Sequence, residues 1–167
     1  MASCGARGAV LAAVALLCAV ATVACEGGAP LCGAAGGALG GFTALDFAND
    51  AEVAQDVELM SRVAVGLIDQ RGLASFGANE ACPGSAMPPL LGAPEVLEAC
   101  SQVVAGTVYK LRFTAPVQCP GGLSVTHTAL VDAEVFRPLP FLLAGQPAEP
   151  ELKSAHVTLT PDVTTRA

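Results

Sequence analysis

The chain has 167 residues, 53% hydrophobic, 14% charged and 4% aromatic, with alanine at 32 positions and glycine at 18. The length suits one domain, and a formal charge of -7 offers no basic surface for phosphates, which excludes a nucleic-acid binder. High hydrophobicity with modest net charge argues against disorder throughout, but with no tryptophan and one tyrosine the core must rest on aliphatics and six phenylalanines.

Residues 1–24 read as a secretory signal. Arg7 is the only charge before Glu26, and an apolar run follows from Ala9 to Ala24. That run is short for a membrane span. Thr22, Ala24 and Cys25 offer cleavage after 24 or 25. An uncleaved anchor and a lipid-modified Cys25 are the alternatives. Cleavage removes Arg7 and no acid, leaving 7 basic against 15 acidic residues. A secreted chain without a membrane partner is expected.

Secretion makes disulfides the natural use of the cysteines. Cys4 and Cys18 leave with the signal; cleavage after Cys25 leaves four cysteines, Cys32, Cys82, Cys100 and Cys119, and cleavage after Ala24 leaves Cys25 as a fifth. No two of the four beyond residue 25 lie within four residues of each other, so their spacing fits no zinc pattern, and no metal site is expected. Cys82 and Cys100 bracket a Pro-rich stretch and could staple it, leaving Cys32 for Cys119; spacing alone does not fix the pairing.

Residues 25–39 are mostly glycine and alanine and read as a flexible leader. A helix should follow. Asn49 is a suitable N-cap, with Glu52 three residues on. Val53, Val57, Met60, Ala64, Leu67 and Ile68 recur at helical spacing, while Asp56, Glu58, Ser61, Arg62 and Asp69 fall largely elsewhere. Gly72 can end the helix after Arg71.

Residues 77–94, with Pro83, Pro88 and Pro89, form a loop without regular structure. Beyond it the period becomes two. Tyr109, Leu111 and Phe113 share one face, with Lys110 and Arg112 on the other. Cys119 opens a Pro-Gly-Gly turn, and Val125, Ala129, Val131, Ala133 and Val135 share a face of a long strand that Pro138 and Pro140 end. A last strand from Ala155 to Thr160 points Val157 and Leu159 inward, and residues 161–167 form a loose tail. One helix followed by strands gives an α+β domain, an antiparallel sheet covered by one helix.

Gln102-Val103-Val104-Ala105-Gly106 falls between two strand-like stretches and reads as a hairpin tip. Two adjacent valines are unusual in a turn that only reverses the chain. Exposed on a rigid hairpin, they suggest a binding surface.

At these residues the chain resembles the cystatins, protein inhibitors of papain-like cysteine proteases. Their first hairpin carries Gln-x-Val-x-Gly, matched by Gln102, Val104 and Gly106. Gly40 and Gly41 stand where the family has a glycine ahead of its helix. Met60-Ser61-Arg62-Val63-Ala64-Val65 is a degraded form of the helix signature of plant cystatins, Leu-Ala-Arg-Phe-Ala-Val. Pro138-Leu139-Pro140-Phe141 stands where the family has a Pro-Trp tip; no tryptophan is present here. The resemblance covers residues 40–160, with the loop at 77–94 longer than usual.

The resemblance implies one long helix on a four- to five-stranded antiparallel sheet, in a monomer without cofactors. It implies reversible, non-covalent inhibition of papain-like proteases of the papain and cathepsin type, with a wedge entering the active-site cleft. Gly40 and Gly41, the tip Gln102, Val103, Val104, Ala105 and Gly106, and a second tip would contact the protease. Either Pro138-Leu139 or Pro140-Phe141 can form that second tip, and Pro140 with Phe141 is favoured because Phe supplies more contact area. A side chain at Gly106 should then weaken binding and leave stability nearly unchanged. Asn79 is a further candidate, for legumain-type proteases. The runner-up is a non-inhibitory binding or structural module of the same fold. An enzyme is not expected: Cys100 with His127 or His156 is the one conceivable nucleophile and base, and Glu98 gives that thiol no electropositive help.

Overall fold

The computed structural model describes residues 31–32, 41–78, 81–82, 84–120, 127–139 and 149–161. The signal segment, most of the leader, Gly40, Asn79, Val125, Pro140, Phe141 and residues 162–167 lie outside the described residues.

The elements in chain order are β1 (Thr43–Ala44), α1 (Ala51–Arg71), a 3₁₀ turn (Leu73–Phe76), β2 (Leu90–Leu91), β3 (Glu95–Val104), β4 (Gly106–Gln118), β5 (His127–Pro138) and β6 (Glu151–Pro161). All strands belong to one antiparallel sheet ordered β1-β3-β4-β5-β6, with β2 paired to β4. The fold is α+β, one helix on a six-stranded sheet. The expected four to five strands become six because β1 and β2 are two-residue additions to its edges. β2 lies inside the stretch expected to be irregular. It takes the part of the β4 edge that β3 does not reach, pairing Leu90 with Gln118 and Leu91 with Val117. Buried backbone groups need partners, and this short segment supplies them.

α1 starts one residue later than expected. The Asp50 carboxylate, not the Asn49 amide, accepts from the N–H groups of Glu52 and Val53, at 3.0 and 3.2 Å. Asn49 instead donates to the Asp46 carboxylate at 2.9 Å. The helix ends after Arg71, at Gly72 with φ 80°. Val57, Met60, Ala64 and Ile68 form the buried stripe, and Val53 and Leu67 flank it. Ser61 is buried in that stripe rather than on the polar face. Its hydroxyl donates to the Glu58 carbonyl at 2.8 Å, which satisfies it without leaving the helix.

Alternation holds along the strands. Tyr109, Leu111, Phe113, Ala115 and Val117 of β4 and Ala129, Val131, Ala133 and Val135 of β5 are buried under the helix. On the outer face Arg112 donates to both Asp132 carboxylate oxygens, at 2.7 and 3.1 Å, and meets Glu98 at 3.3 Å. β6 begins four residues before its expected start, adding Leu152 to the core.

The disulfides join Cys32 to Cys100 and Cys82 to Cys119. The staple suggested across the Pro-rich stretch does not form. Cys100 faces the outer side of β3, where Cys32 covers it, whereas Cys82 lies beside the far end of β4.

Polar bonds orient the helix on the sheet. Tyr109 donates its hydroxyl to Asp56, whose other oxygen accepts from Arg137 Nη1 at 2.7 Å. At the opposite end Asp69 accepts from the Leu91 N–H, and Arg71 donates to the Leu152 carbonyl, both at 3.0 Å. Burial, then the hydrogen bond and charge of Asp56, push the Tyr109 phenol above its ordinary 10.0. A raised folded value means a contribution that is complete below pH 10 and lost as pH climbs through the folded pKa. Because Tyr109 is the only tyrosine, absorbance at alkaline pH reports this group alone. The native protein should ionise at higher pH than the urea-unfolded chain. Tyr109→Phe should cost about 1–2 kcal/mol in urea unfolding at pH 7 and should flatten the loss of stability above pH 10.

Candidate functional site: the β3–β4 tip and its neighbours

The β3–β4 hairpin is tight, and its register fixes which residues reach the tip. Gln102 pairs with Val108, Val103 with Thr107 and Val104 with Gly106, leaving Ala105 at the turn. Val103 is 79% exposed and Val104 48%, against complete burial of Leu111 and Phe113 lower on the same sheet. Gln102 is half-buried and Ala105 exposed. Two branched apolar side chains thus stand in solvent on a backbone held by ladder bonds. Their ordering cost has been met by folding.

Gly106 is unlike the rest of the tip. It is buried, with φ 153°, and a Cβ there would lie 2.5 Å from the Arg137 carbonyl oxygen and 2.7 Å from the Phe136 ring. Its missing side chain is what lets β5 approach β4 at this end. The expectation that a side chain at Gly106 leaves stability unchanged is therefore corrected: this glycine serves the sheet, whatever else it serves.

The β4–β5 register pairs Gly106 with Pro138. Pro138 ends β5, and Leu139 after it is 44% exposed. On the other side of β3, β1 runs antiparallel with Thr43 opposite Ser101. The chain before Thr43 is thereby directed toward the same end, with Gly41 exposed and Phe42 half-buried. The sheet order then sets Gly41, the β3–β4 tip and Pro138–Leu139 along one end, roughly three strand spacings or ~14 Å across. Sequence reasoning named Gly41 and all five tip residues, and these are brought to one end. Pro140 and Phe141 were preferred for the second tip, but they lie outside the described residues, as does Gly40. Leu139, held next to the first tip, was the lesser candidate; its place depends on the Gly106–Pro138 pairing, which no sequence pattern announces.

Other groups do not assemble a reactive centre among the described residues. Cys100 is bonded to Cys32 and is buried. His156 is on β6, three strands away from Cys100, or roughly 14 Å. His127 pairs with Val117, at the end of β4 remote from the tip. Its Nδ1 is buried without a hydrogen-bond partner among the described residues. Cys32, Glu98 and Cys100 bring three ligand atoms within 4.8 Å of one another. The sulfurs are already bonded together, and the Glu98 oxygens accept from Leu31 N–H at 2.9 Å and face Arg112 at 3.3 Å, so a cation finds no vacant donor set.

Substitutions separate the two kinds of tip residue. Gly106→Ala should lower stability by about 1–3 kcal/mol in urea or thermal unfolding, because the Arg137 carbonyl and the Phe136 ring must move. Val103→Asp should stay within about 0.5 kcal/mol of wild type. Equal stability of Gly106→Ala and wild type would contradict the close approach of β5.

Compared with known proteins, the chain matches no family model, no curated protein and no solved structure.

Proposed function

We propose that the protein is a reversible, non-covalent inhibitor of papain-like cysteine proteases. The observation that carries this is the exposed Val103–Val104 pair, on a rigid hairpin between Gly41 and Leu139 at one end of the sheet. A cleft built to hold an extended peptide has apolar walls and backbone hydrogen-bonding groups. A row of strand ends about three strands wide can enter it edge-on. Val103 and Val104 lose their water against the walls, at about 1.5–3 kcal/mol for each side chain fully buried. Part of that gain offsets the loss of free motion on association. Pre-formed ladder bonds keep the remaining cost small.

Inhibition follows from what the tip does not present. Gly106 and its neighbours are committed to pairing with β3 and β5, so the tip does not offer a relaxed peptide bond for attack. Exclusion of substrate is then steric, and no covalent step is needed. Gly40 and Gly41 would carry the N-terminal segment past the protease nucleophile, while Pro138–Leu139 or Pro140–Phe141 supplies the second contact. The two disulfides suit an oxidising compartment, and among the described residues no helix is long and apolar enough to cross a membrane. Both are compatible with a secreted or lumenal protein.

Titration of active papain with the purified mature protein tests the reading. Stoichiometric loss of activity at nanomolar to micromolar inhibitor is expected, and full activity at micromolar inhibitor removes the proposal. Val103→Asp/Val104→Asp should weaken inhibition by about 10²-fold or more, since two desolvated anchors are replaced by charges, with the thermal midpoint unchanged. Equal inhibition by this variant would take the first tip out of the contact.

A further inference from the structure

β1 is a weak element by itself. It has two residues, and it holds the edge of β3 through Thr43↔Ser101 and Ala44↔Cys100. The Leu45 N–H adds a bond to the Ala99 carbonyl at 2.9 Å, and the Lys110 ammonium lies 4.0 Å from the centroid of the Phe42 ring. So few interactions barely offset the entropy of ordering the segment.

A second attachment occurs at the same place. Cys100, whose backbone faces Ala44 across the strand pair, is bonded through its side chain to Cys32. Next to it the Leu31 N–H donates to Glu98 Oε1 at 2.9 Å. The chain therefore meets Cys100 twice, covalently at Cys32 and by backbone pairing at Ala44. The cross-link itself spans 68 residues, but it fixes Cys32, only twelve residues ahead of Ala44, to the strand that β1 pairs with, which raises the effective concentration of β1 at the β3 edge. Cys82–Cys119 has no such relation to β1, because Cys119 follows β4 at the end remote from the tip.

We infer that Cys32–Cys100 is a redox-sensitive staple for the N-terminal part of the protease-contacting end. Oxidised, it holds β1 and Gly41 beside the β3–β4 tip. Reduced, it lets β1 leave the sheet edge, and inhibition weakens. The reductant is a dithiol: it gives two electrons and two protons, the Sγ–Sγ bond breaks, both cysteines become thiols and the dithiol closes to its own disulfide. Cys32 is half-buried, while Cys100 is fully buried, so a reductant reaches the pair from the Cys32 side. This inference rests on the inhibitor reading and adds a regulation to it. A protease whose nucleophile is a thiolate works only where thiols stay reduced. The conditions that keep the target active are then the conditions that loosen its inhibitor.

Hydrogen exchange and papain inhibition, measured on the same mature protein, test this. The samples are oxidised wild type, wild type treated with dithiothreitol, Cys32→Ser, and Cys82→Ser/Cys119→Ser as control. Papain is reduced beforehand and desalted. Neither Cys32 nor Cys100 belongs to the helix–sheet core, so the fold is expected to persist in Cys32→Ser, and the dithiothreitol-treated wild type gives a second measurement independent of mutation. Loss of the staple should speed exchange of amides 42–45 about ten-fold or more and weaken inhibition by a similar factor, with β4 and β5 still protected. The control should change neither by more than about two-fold. Unchanged exchange at 42–45 in both Cys32→Ser and reduced wild type overturns the staple. Faster exchange with undiminished inhibition overturns its link to the contact. If oxidised wild type fails to inhibit papain at all, the inhibitor reading falls alone, because the exchange of 42–45 still decides whether the staple exists.

Discussion

The structure depends on β4. It pairs with β5 from Gly106 to Val117, with β3 over its first half and more, and with β2 over its last residues. Both of its edges are thereby satisfied, as a central strand requires. Every second residue from Tyr109 to Val117 points under α1. A slip of one residue would turn that whole set outward, so the core sets the register. Gly106 sets it again from the tip end, since only a residue without a side chain fits against the Arg137 carbonyl. The constraint that aligns the core thus also places the ends of β3, β4 and β5 side by side.

Alanine has a different part in this core than its small area suggests. Ala64, Ala99, Ala115, Ala129 and Ala133 are all buried, interleaved with Phe113, Met60 and Leu111. Small and large residues alternating across a helix–sheet interface allow close approach without voids. The core needs few aromatics for that reason, and Phe113 is the one fully buried phenylalanine among the described residues. The scarcity of aromatics therefore bears on the contact surface more than on the fold.

Much of this was legible in the sequence because it is periodic. The helical recurrence from Val53 to Ile68 and the alternation at Tyr109, Leu111 and Phe113 are local patterns, and each found its element. The apolar tip was legible for the opposite reason, as two valines where a turn should be polar. What could not be read depends on contacts between distant segments. The pairing of Cys32 with Cys100 joins residues 68 apart in sequence. The burial of Gly106 follows from Phe136 and Arg137, thirty residues on. The shift of the cap from Asn49 to Asp50 is a different kind of miss. Both side chains suit the position, and the choice is made by Asp46, which engages Asn49.

The two disulfides interlock along the chain, in the order Cys32, Cys82, Cys100, Cys119. Each encloses one end of the other, so residues 32–119 form a single cross-linked unit even when unfolded. β5 and β6 lie outside it, held to the rest by strand pairing and side-chain packing alone. Covalent reinforcement is therefore confined to the first part of the domain. The C-terminal hairpin, with no cross-link of its own, relies wholly on the twelve-pair ladder to β4 and on the burial of Val131, Val135 and Leu152; its loss would bare the β4 edge as a strand-length template for another chain.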